Sequence, residues 1–237
     1  MLSVVPRATS AHSSRDFETE LRELHAQLLA MGARCERIVG LAFDAFRRGD
    51  PDVAGDVEAL DERIDRDEVE LHALILRILA LRQPVADDLR FLAAALRLIT
   101  DLERIGDEAV NITERTVRED GGAKGLVSGA LSSMALAALD MLHGALEAFV
   151  RWDDSGAHSV LGCDDAVDRS CAAIISAMTV HMAEQPGEVL AGLRVIRVTK
   201  YLERIADHAT NVAEEVIFMV RAEDVRHGRA HPFYRKE

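Results

Sequence analysis

Hydrophobic residues recur in the first part of the chain at steps of three and four, which is the spacing of one face of an α-helix. The apolar positions of this segment are Phe17, Leu21, Leu24, Leu28, Met31, Cys35 and Ile38. They predict a helix from about residue 16 to about residue 48 with a coiled-coil-like seam. The sequence Gly49-Asp50-Pro51 ends this helix, because Gly frees the last helical turn and Pro favours the start of the next helix.

The same periodicity predicts five more long helices, separated by turns that contain Gly or Pro. Their expected bounds are, in order, about 51–82, 85–119, 126–152, 157–184 and 188–222. A turn at residues 153–156 is expected to separate the fourth helix from the fifth. Long helices joined by short turns pack as antiparallel neighbours. The predicted fold class is therefore all-α, with two tandem three-helix bundles.

Segments without helical periodicity complete the predicted domain plan. Residues 1–15 are rich in Ser, Ala and Thr and predict a disordered arm. The Gly-rich residues 121–125 predict a linker between a first bundle at 16–120 and a second bundle at 126–222. The remaining residues, 223–237, predict a loose C-terminal tail.

The two halves of the chain share a motif at an offset of 100 residues. The run Leu102-Glu-Arg-Ile-Gly-Asp107 corresponds to Leu202-Glu-Arg-Ile-Ala-Asp207. Over the 21 positions that begin at Ala94, nine residues are identical at this offset. The two bundles are therefore expected to be related by internal duplication.

Each copy of the motif carries a row of oxygen-bearing side chains along one helix face. The row is Glu103, Asp107 and Asn111 in the first copy, and Glu203, Asp207 and Asn211 in the second. Residues four apart on a helix differ by about 40° around its axis. Each row therefore drifts slowly but begins on one side of its helix.

A second pair of acids precedes each motif on the neighbouring helix. The pairs are Asp61 with Asp65 and Asp164 with Asp168. Their spacing alone is weak evidence in a chain with 41 acidic residues. Their position is more informative, because each doublet lies about 20 residues, or roughly 30 Å of helix, from its own Gln-Pro turn. When each hairpin folds back, four carboxylates are expected at one level.

Four carboxylates at one level repel one another unless they are protonated, exposed to water, paired with cations or bridged by a metal. Oxygen ligands suit hard cations such as Mg²⁺, Mn²⁺, Ca²⁺ or iron. The alternative is a solvated acidic face with interspersed Arg residues. Arg104 and Arg204 lie about 100° around the helix from the preceding acids. They are therefore poorly placed as local counter-ions but could pair across helices.

A ferritin-type di-iron centre requires Glu-x-x-His motifs on paired helices. The positions of the histidines in this sequence give little support for such a centre. The nearest match in the sequence is Asp140-x-x-His143, which we interpret as incidental. His208 follows Asp207, but Glu108 holds the corresponding place in the first copy. A ligand role for His208 would therefore be confined to one half.

Composition narrows the class of function further. The chain has 237 residues and a net charge of −13, which argues against nucleic-acid binding because that requires a basic surface. Cys35, Cys163 and Cys171 lack Cys-x-x-Cys spacing and are interpreted as free thiols in a reducing compartment. We find no apolar run near the roughly 20 residues of a membrane span, and no signal sequence. We expect a cytoplasmic protein.

The two motifs, above all Leu202-Glu-Arg-Ile-Ala-Asp207-His-Ala-Thr-Asn211, resemble the PhoU family of bacterial phosphate-transport regulators from about residue 16 to residue 220. The resemblance implies two three-helix bundles that bind iron, zinc, manganese or magnesium. The implied ligands are Asp61, Asp65, Glu103, Asp107, Asp164, Asp168, Glu203 and Asp207, with Asn111 and Asn211 as plausible additions.

The resemblance also implies a function without catalysis. A protein of this family is expected to repress high-affinity phosphate uptake and phosphate-starvation signalling. It would do so by docking on the ATPase subunit of the phosphate ABC transporter and on a sensor histidine kinase, and we expect a homodimer. Two alternatives stay open from the residues alone: a metal-storage or redox helical bundle, and a purely structural helical scaffold.

Overall fold

The computed structural model describes residues 15–116, 129–226 and 231–232. Residues 1–14 of the predicted arm and the predicted linker at 121–125 lie outside the described residues. The helices are α1 (Arg15–Arg48), α2 (Ala54–Arg82), α3 (Ala86–Thr113), α4 (Gly129–Arg151), α5 (Asp154–Leu161), α6 (Asp164–Glu184) and α7 (Val189–Arg221). Short 3₁₀ turns at Pro51–Val53 and Pro186–Glu188 precede α2 and α7.

The predicted all-α fold with six long helices is confirmed, and one predicted turn is misplaced. Residues 153–156 do not separate two long helices, because α5 begins within them at Asp154. Asp153 is its N-cap and accepts a hydrogen bond from the backbone N–H of Ser155 at 3.0 Å. The polar residues that suggest a turn therefore cap a helix. The chain breaks again at Gly162 and Cys163, between α5 and α6.

The first residues after α7 are more ordered than the expected loose tail. Glu223–Asp224 (β1) pairs antiparallel with His231–Pro232 (β2). Arg226 donates through Nε to Asp224 Oδ1 at 2.8 Å. This contact holds the pKa of Asp224 down at about 2. Regular pairing therefore continues briefly beyond the last helix.

Four helices form the centre of the molecule. Helix α1 packs against α3 and α4, and α7 packs against α3 and α4. Helix α2 covers α1 and α3, whereas α5 and α6 cover α7 and α4. Gly32 permits the approach of α1 to α4, because a Cβ atom there would lie 2.7 Å from Leu146 Cδ2. Both three-helix bundles therefore contribute to one continuous core.

Among the described residues, α4 is the one helix long and apolar enough to be a candidate membrane span. This differs from the expectation of no such run. Half of its most apolar window is buried inside the structure. Its inward face contributes Leu131, Met134, Ala138, Leu142, Ala145 and Phe149 to the core. Packing of α4 against α1, α5, α6 and α7 accounts for its apolar composition.

Helices α3 and α7 join the two bundles through charged side chains as well as apolar ones. Arg97 Nη1 lies 2.8 Å from Glu215 Oε1, and Arg204 Nη1 lies 3.1 Å from Glu108 Oε1. Both carboxylates are largely buried, with side-chain exposures of 5% and 11%. This polar seam runs antiparallel along the duplicated helices and leaves their other faces to α2 and α6.

Candidate metal centres

In the first bundle the doublets on α2 and α3 come to the same level. A Cβ atom at Gly106 would lie 2.9 Å from Asp61 Oδ1 and 3.4 Å from Ile64 Cδ1. The carboxylate of Asp61 therefore lies directly over the α3 backbone, one residue before Asp107. Only a glycine leaves this space, and the second copy has Ala206 at the corresponding position.

Burial and mutual repulsion make the first-bundle carboxylates costly to ionise. Burial first, and then the charges of Asp65 and Asp107, raise the pKa of Asp61 to about 6. Burial and Asp107 also raise the pKa of Glu103, against a smaller opposing effect of Arg104. Oxygens Asp61 Oδ1 and Glu103 Oε2 are buried and have no hydrogen-bond partner among the described residues. Arg104 Nε is 3.3 Å from Glu103 Oε2, but without hydrogen-bond geometry.

The acids of the second bundle also lie near one another, and two of them have polar partners. Thr210 donates to Asp164 Oδ1 at 3.2 Å, and Lys200 forms an ion pair with Glu203. Burial, and then the charges of Asp164 and Glu203, raise the pKa of Asp207. Asp164, Asp168 and Glu203 thus lie near enough to Asp207 to raise its pKa.

The two sites differ in the residues that surround the shared acids. Lys200 in the second copy corresponds to Thr100 in the first at the 100-residue offset. Glu68 lies near Glu103 in the first bundle and raises its pKa. In the second bundle Cys171 lies near Glu203, and burial together with Glu203 raises the thiol pKa to about 11. The acids of the two sites therefore have different neighbours, with Arg104 as the cation at the first site and Lys200 at the second.

The two hairpins close in slightly different registers. In the first bundle, Asp61 faces Gly106, which agrees with a fold centred on Pro84. In the second bundle, the side chains of Thr210 and Asp164 are bonded, and the midpoint of these two residues is Gly187. The connection of the second hairpin, residues 185–188, is one residue longer than that of the first, residues 83–85, and contains the 3₁₀ turn Pro186–Glu188.

Asn111 and Asn211 do not join the acidic sites. The amide nitrogen of Asn111 donates to Glu108 Oε2 at 3.3 Å, and that of Asn211 donates to Asp101 Oδ1 at 3.0 Å. Asn111 and Asn211 each lie eight residues after the Glu that begins their row, which places them about 80° around the helix from it. Both amides therefore face other partners, and the inclusion of Asn111 and Asn211 in the rows does not agree with their contacts.

The histidines singled out in the sequence pair elsewhere. His208 Nδ1 lies 2.8 Å from Asp101 Oδ1 on α3, within the polar seam. His143 Nδ1 lies 2.7 Å from Glu36 Oε1 on α1. Neither contact is with an acidic doublet. His208 therefore belongs to the interface between the bundles, and Asp140-x-x-His143 does not form a site of its own.

The expectation about the arginines is wrong for one of them. Arg104 Nη1 lies 3.0 Å from Asp107 Oδ2, one turn further along α3. Its long side chain overcomes the angular separation, so it is a local counter-ion. Arg204 instead crosses to Glu108 on α3, as the sequence allowed.

The donors at both levels suit a hard cation, although the side chains do not close on a single point. Within residues 15–116, 129–226 and 231–232, no three Asp, Glu, His or Cys side chains are close enough together to hold one metal ion as they stand. The unpartnered buried oxygen of Asp61 and the all-oxygen donor set are nevertheless the donor chemistry that Mg²⁺, Mn²⁺ or iron prefers.

Several residues at these sites are missed by reasoning from the acids alone. Gly106, Lys200, Thr210 and Cys171 each touch or neighbour a doublet. The signal that could have found two of them is the difference between the copies, at positions 106 and 206 and at 100 and 200. Thr210 and Cys171 depend on the register of α6 against α7, which the sequence does not give.

Comparison with known proteins gives consistent matches over most of the chain. The family model described as the PhoU domain matches twice, at residues 28–116 and 131–216. A phosphate-specific transport system accessory protein PhoU homolog of Pseudomonas putida is 38% identical over 219 residues, covering 91% of this chain and 85% of the relative. The PhoU protein of Escherichia coli strain K12, with the same accessory role in its name, is 30% identical over 216 residues, covering 91% of this chain and 90% of the relative.

Solved structures agree with the sequence matches. The crystal structure of PhoU from Pseudomonas aeruginosa has a TM-score of 0.81 at 35% identity, covering 87% of this chain and 99% of that one. The phosphate transport system regulatory protein PhoU from Streptococcus pneumoniae has a TM-score of 0.81 at 27% identity, covering 88% and 99%. With two domain matches and relatives that align along nearly their whole length, this chain belongs to the PhoU family.

Proposed function

We propose that this protein is a negative regulator of high-affinity phosphate uptake and of phosphate-starvation signalling in the cytoplasm. Support comes from its relatives, which are accessory proteins of the phosphate-specific transport system. It acts as a homodimer by docking on the ATPase subunit of the phosphate ABC transporter and on a sensor histidine kinase. It regulates by binding rather than by catalysis.

The second part of the proposal is that the acidic levels bind divalent or trivalent cations. The observation that carries it is the placement of Asp61 over Gly106, where burial and Asp107 make its negative charge costly. Asp61, Asp65, Glu103 and Asp107 would hold the cation in the first bundle. Manganese, magnesium, iron or zinc would supply the positive charge that links α2 to α3 there.

The second bundle would hold its cation through the corresponding set, Asp164, Asp168, Glu203 and Asp207. Lys200 and Thr210 already compensate two of these carboxylates. A cation must displace these contacts, as it must displace Arg104 from Glu103 and Asp107 in the first bundle. We infer that the first site binds more tightly than the second, because Asp61 Oδ1 and Glu103 Oε2 are buried without a hydrogen-bond partner among the described residues.

Calorimetric titration with Mn²⁺ tests the cation sites on untagged protein. We expect Asp61→Asn with Glu103→Gln to abolish the tighter binding event, and Asp164→Asn with Glu203→Gln to abolish the weaker one. The matched control is Asp56→Asn with Glu58→Gln, which removes two exposed acids of α2 and should leave both events unchanged. Equal affinity in all four proteins would refute the assignment of the acids.

Exchange of one residue between the copies tests the inferred order of the two sites. Lys200→Thr should strengthen the second binding event about tenfold, because Glu203 loses its ammonium partner. Thr100→Lys should weaken the first event by a similar factor. Unchanged affinities in both exchanges would show that residues 100 and 200 do not set the order.

The regulatory proposal needs a separate measurement in cells. Deletion of the gene should raise phosphate uptake and phosphatase expression in phosphate-replete medium, and the intact chain should restore both. Co-purification of the intact chain should recover the transporter ATPase subunit and the sensor kinase. Unchanged uptake after deletion would disprove the regulatory role even if the protein binds Mn²⁺.

A further inference from the structure

The seam between α3 and α7 pairs its residues in one antiparallel register. Arg97 donates to Glu215, and Arg204 donates to Glu108. From the first pair to the second, α3 advances from 97 to 108 while α7 goes back from 215 to 204, which is the same step of 11 residues on each helix. Continued beyond Glu108 and Arg204, this register sets residue 115 level with residue 197.

The duplication makes the two ends of the seam comparable. At the offset of 100 residues, Arg197 corresponds to Arg97, and Arg115 corresponds to Glu215. One end of the seam therefore has an ion pair, whereas the equivalent place at the other end has two arginines. The charge of one partner is reversed, so the ion pair has no copy at this end.

The contacts of Arg115 agree with this register. The chain keeps a helical turn beyond the end of α3, because the backbone N–H of Arg115 bonds to the carbonyl of Ile112 at 3.1 Å. Arg115 Nη2 lies 3.5 Å from the hydroxyl of Tyr201 on α7. Arg197, Tyr201 and Arg204 follow one another at steps of four and three, so they share one face of α7. Arg197 precedes Tyr201 by one turn, or roughly 6 Å of helix. Both arginines therefore belong to the same end of the seam.

The positive charge at this end is poorly compensated within residues 15–116, 129–226 and 231–232. Arg197 is exposed there and has no hydrogen bond or ion pair. Glu114 lies 3.5 Å from Arg115 Nη2, but its side chain is 57% exposed, and an exposed pair contributes little. Arg115 Nε is buried without a hydrogen-bond partner. The next acid back along the seam, Glu108, is bonded to Arg204.

We propose that this end of the seam, formed by Arg115, Arg197 and Tyr201, binds a small tetrahedral oxyanion of the phosphate and sulfate class. A doubly charged oxyanion accepts several hydrogen bonds at once, and the planar fork of a guanidinium group matches its oxygens. The hydroxyl of Tyr201 adds a neutral donor. The anion supplies the negative charge that Glu215 supplies at the other end. Because Arg115 follows α3 and Arg197 lies on α7, a bound anion links the two bundles. This inference goes beyond the proposed regulatory function and does not depend on it.

Phosphorus NMR of inorganic phosphate measures this binding directly on the full chain. The protein is kept in EDTA at constant ionic strength, so that no metal on the acidic levels contributes. We expect the phosphate signal to broaden, with a Kd on the order of 1 mM, as suits so small a ligand. Sulfate should compete with phosphate, whereas chloride at the same concentration should not.

Phenyl phosphate in the same assay distinguishes two sources of the anion. Competition by phenyl phosphate would assign the site to a phosphate group carried on a larger molecule. Competition by sulfate but not by phenyl phosphate would assign it to a free oxyanion. Either result supports the site, because both depend on the same two guanidinium groups.

Matched variants locate the binding. Arg115→Glu recreates at this end the pair that Arg97 and Glu215 form at the other. It should abolish phosphate binding, while its melting temperature in chloride stays at or above that of the wild type. Arg37→Glu makes the same change of charge at an exposed position of α1 and should leave phosphate binding unchanged. Arg197→Gln removes one guanidinium group from an exposed position and should weaken phosphate binding about tenfold.

Four results would overturn the proposal. One is a phosphate signal that the wild type leaves unchanged up to about 20 mM phosphate. A second is competition by chloride as strong as that by sulfate. A third is a loss of binding in Arg37→Glu as large as that in Arg115→Glu, because net charge rather than this site would then decide. The fourth is undiminished binding in Arg197→Gln, a result that does not depend on how well Arg115→Glu folds.

Discussion

The carboxyl group of Asp61 is stabilised in its protonated form by its surroundings in the folded chain. Burial against α3 and the charges of Asp65 and Asp107 raise its pKa from 3.8 to about 6. Between these values the folded chain keeps a proton that the unfolded chain has lost. Folding stability from this group is therefore complete below about pH 4 and is lost as the pH rises through 6.

The substitution Asp61→Asn should remove this pH dependence, because the amide has the shape of the neutral acid. At pH 7.5 in EDTA, we expect it to raise the free energy of unfolding by about 1 kcal/mol, a value reduced for the solvent screening of a half-exposed group. At pH 4 the variant and the wild type should be nearly equal. Guanidinium denaturation at the two pH values measures both differences.

The control for Asp61→Asn is Glu58→Gln, which neutralises an exposed acid on the same helix. It should change stability little at either pH. If Asp61→Asn were no more stable than the wild type at pH 7.5, ionisation of Asp61 would not destabilise the folded chain, contrary to what its contacts indicate.

The three cysteines differ in access to reagents. Cys35 and Cys171 are buried, whereas Cys163 is exposed in the break between α5 and α6. Burial also raises the thiol pKa of Cys35 far above its usual range, and that of Cys171 to about 11. Because the thiolate is the reactive form, we expect Ellman's reagent at pH 8 to modify one thiol per native chain and three after denaturation.

Replacement of the exposed cysteine is the control for this count. Cys163→Ser should leave no fast-reacting thiol in the native protein. Rapid modification of two or more thiols in the wild type would mean that α6 opens readily from α7, since Cys171 is covered by that contact.

At the scale of helices, periodicity and turn residues predict most of the fold. The α2–α3 hairpin is centred on Pro84 as the sequence indicates, and this places Asp61 beside the Glu103 motif. The sequence predicts one turn at residues 153–156, but Asp153 instead caps the short helix α5. The break that follows, between α5 and α6, is therefore not predicted. Helix existence follows from local patterns, whereas capping depends on which residue adopts the extended conformation.

Partners between helices are harder to predict than helices. Asn111 and Asn211 lie in the rows by spacing and His208 follows Asp207, but all three bond to residues of the seam between α3 and α7. That seam depends on how the second bundle packs against the first, which no local pattern specifies. The relative heights of the acids on α2 and α3 can be predicted from the sequence, because a short hairpin connects these two helices and fixes the heights.

The contact of α1 with α4 depends on the absence of a side chain at Gly32. An added Cβ would lie 2.7 Å from Leu146 Cδ2 in a buried position. We expect Gly32→Ala to lower the free energy of unfolding by about 1–2 kcal/mol, because overpacking outweighs the gain in helix propensity. Thermal or chemical denaturation measures the change.

Gly40 on the same helix provides the matched control. Nothing lies within 4 Å of a Cβ added there, so Gly40→Ala should raise stability by about 0.5–1 kcal/mol through helix propensity alone. Adding Leu146→Ala to Gly32→Ala should relieve the overlap. Equal gains from both single substitutions would show that α1 and α4 are further apart than the structure places them.

At the scale of the whole molecule, the pair Arg97–Glu215 links the two bundles. Arg97 donates to both carboxylate oxygens of Glu215, at 2.8 and 3.1 Å, and lies 5.6 Å from the Phe218 ring centroid. Burial raises the pKa of Glu215 although Arg97 opposes the shift. The buried carboxylate therefore depends mainly on this arginine for its charge, with a smaller contribution from Arg226.

Removal of the arginine alone should therefore destabilise both bundles together. We expect Arg97→Leu to lower the free energy of unfolding by about 3 kcal/mol at pH 8, because it leaves a buried charge unpaired. The loss should be smaller at pH 5, since Glu215 can then bind a proton. Adding Glu215→Leu should restore most of the stability, because two apolar groups suit this interface better than one lone carboxylate. Calorimetry should show one unfolding transition in all three proteins, since α1, α3, α4 and α7 share a core. Two separate transitions in Arg97→Leu would contradict this. They would mean that the bundles fold independently and that the seam only holds them side by side.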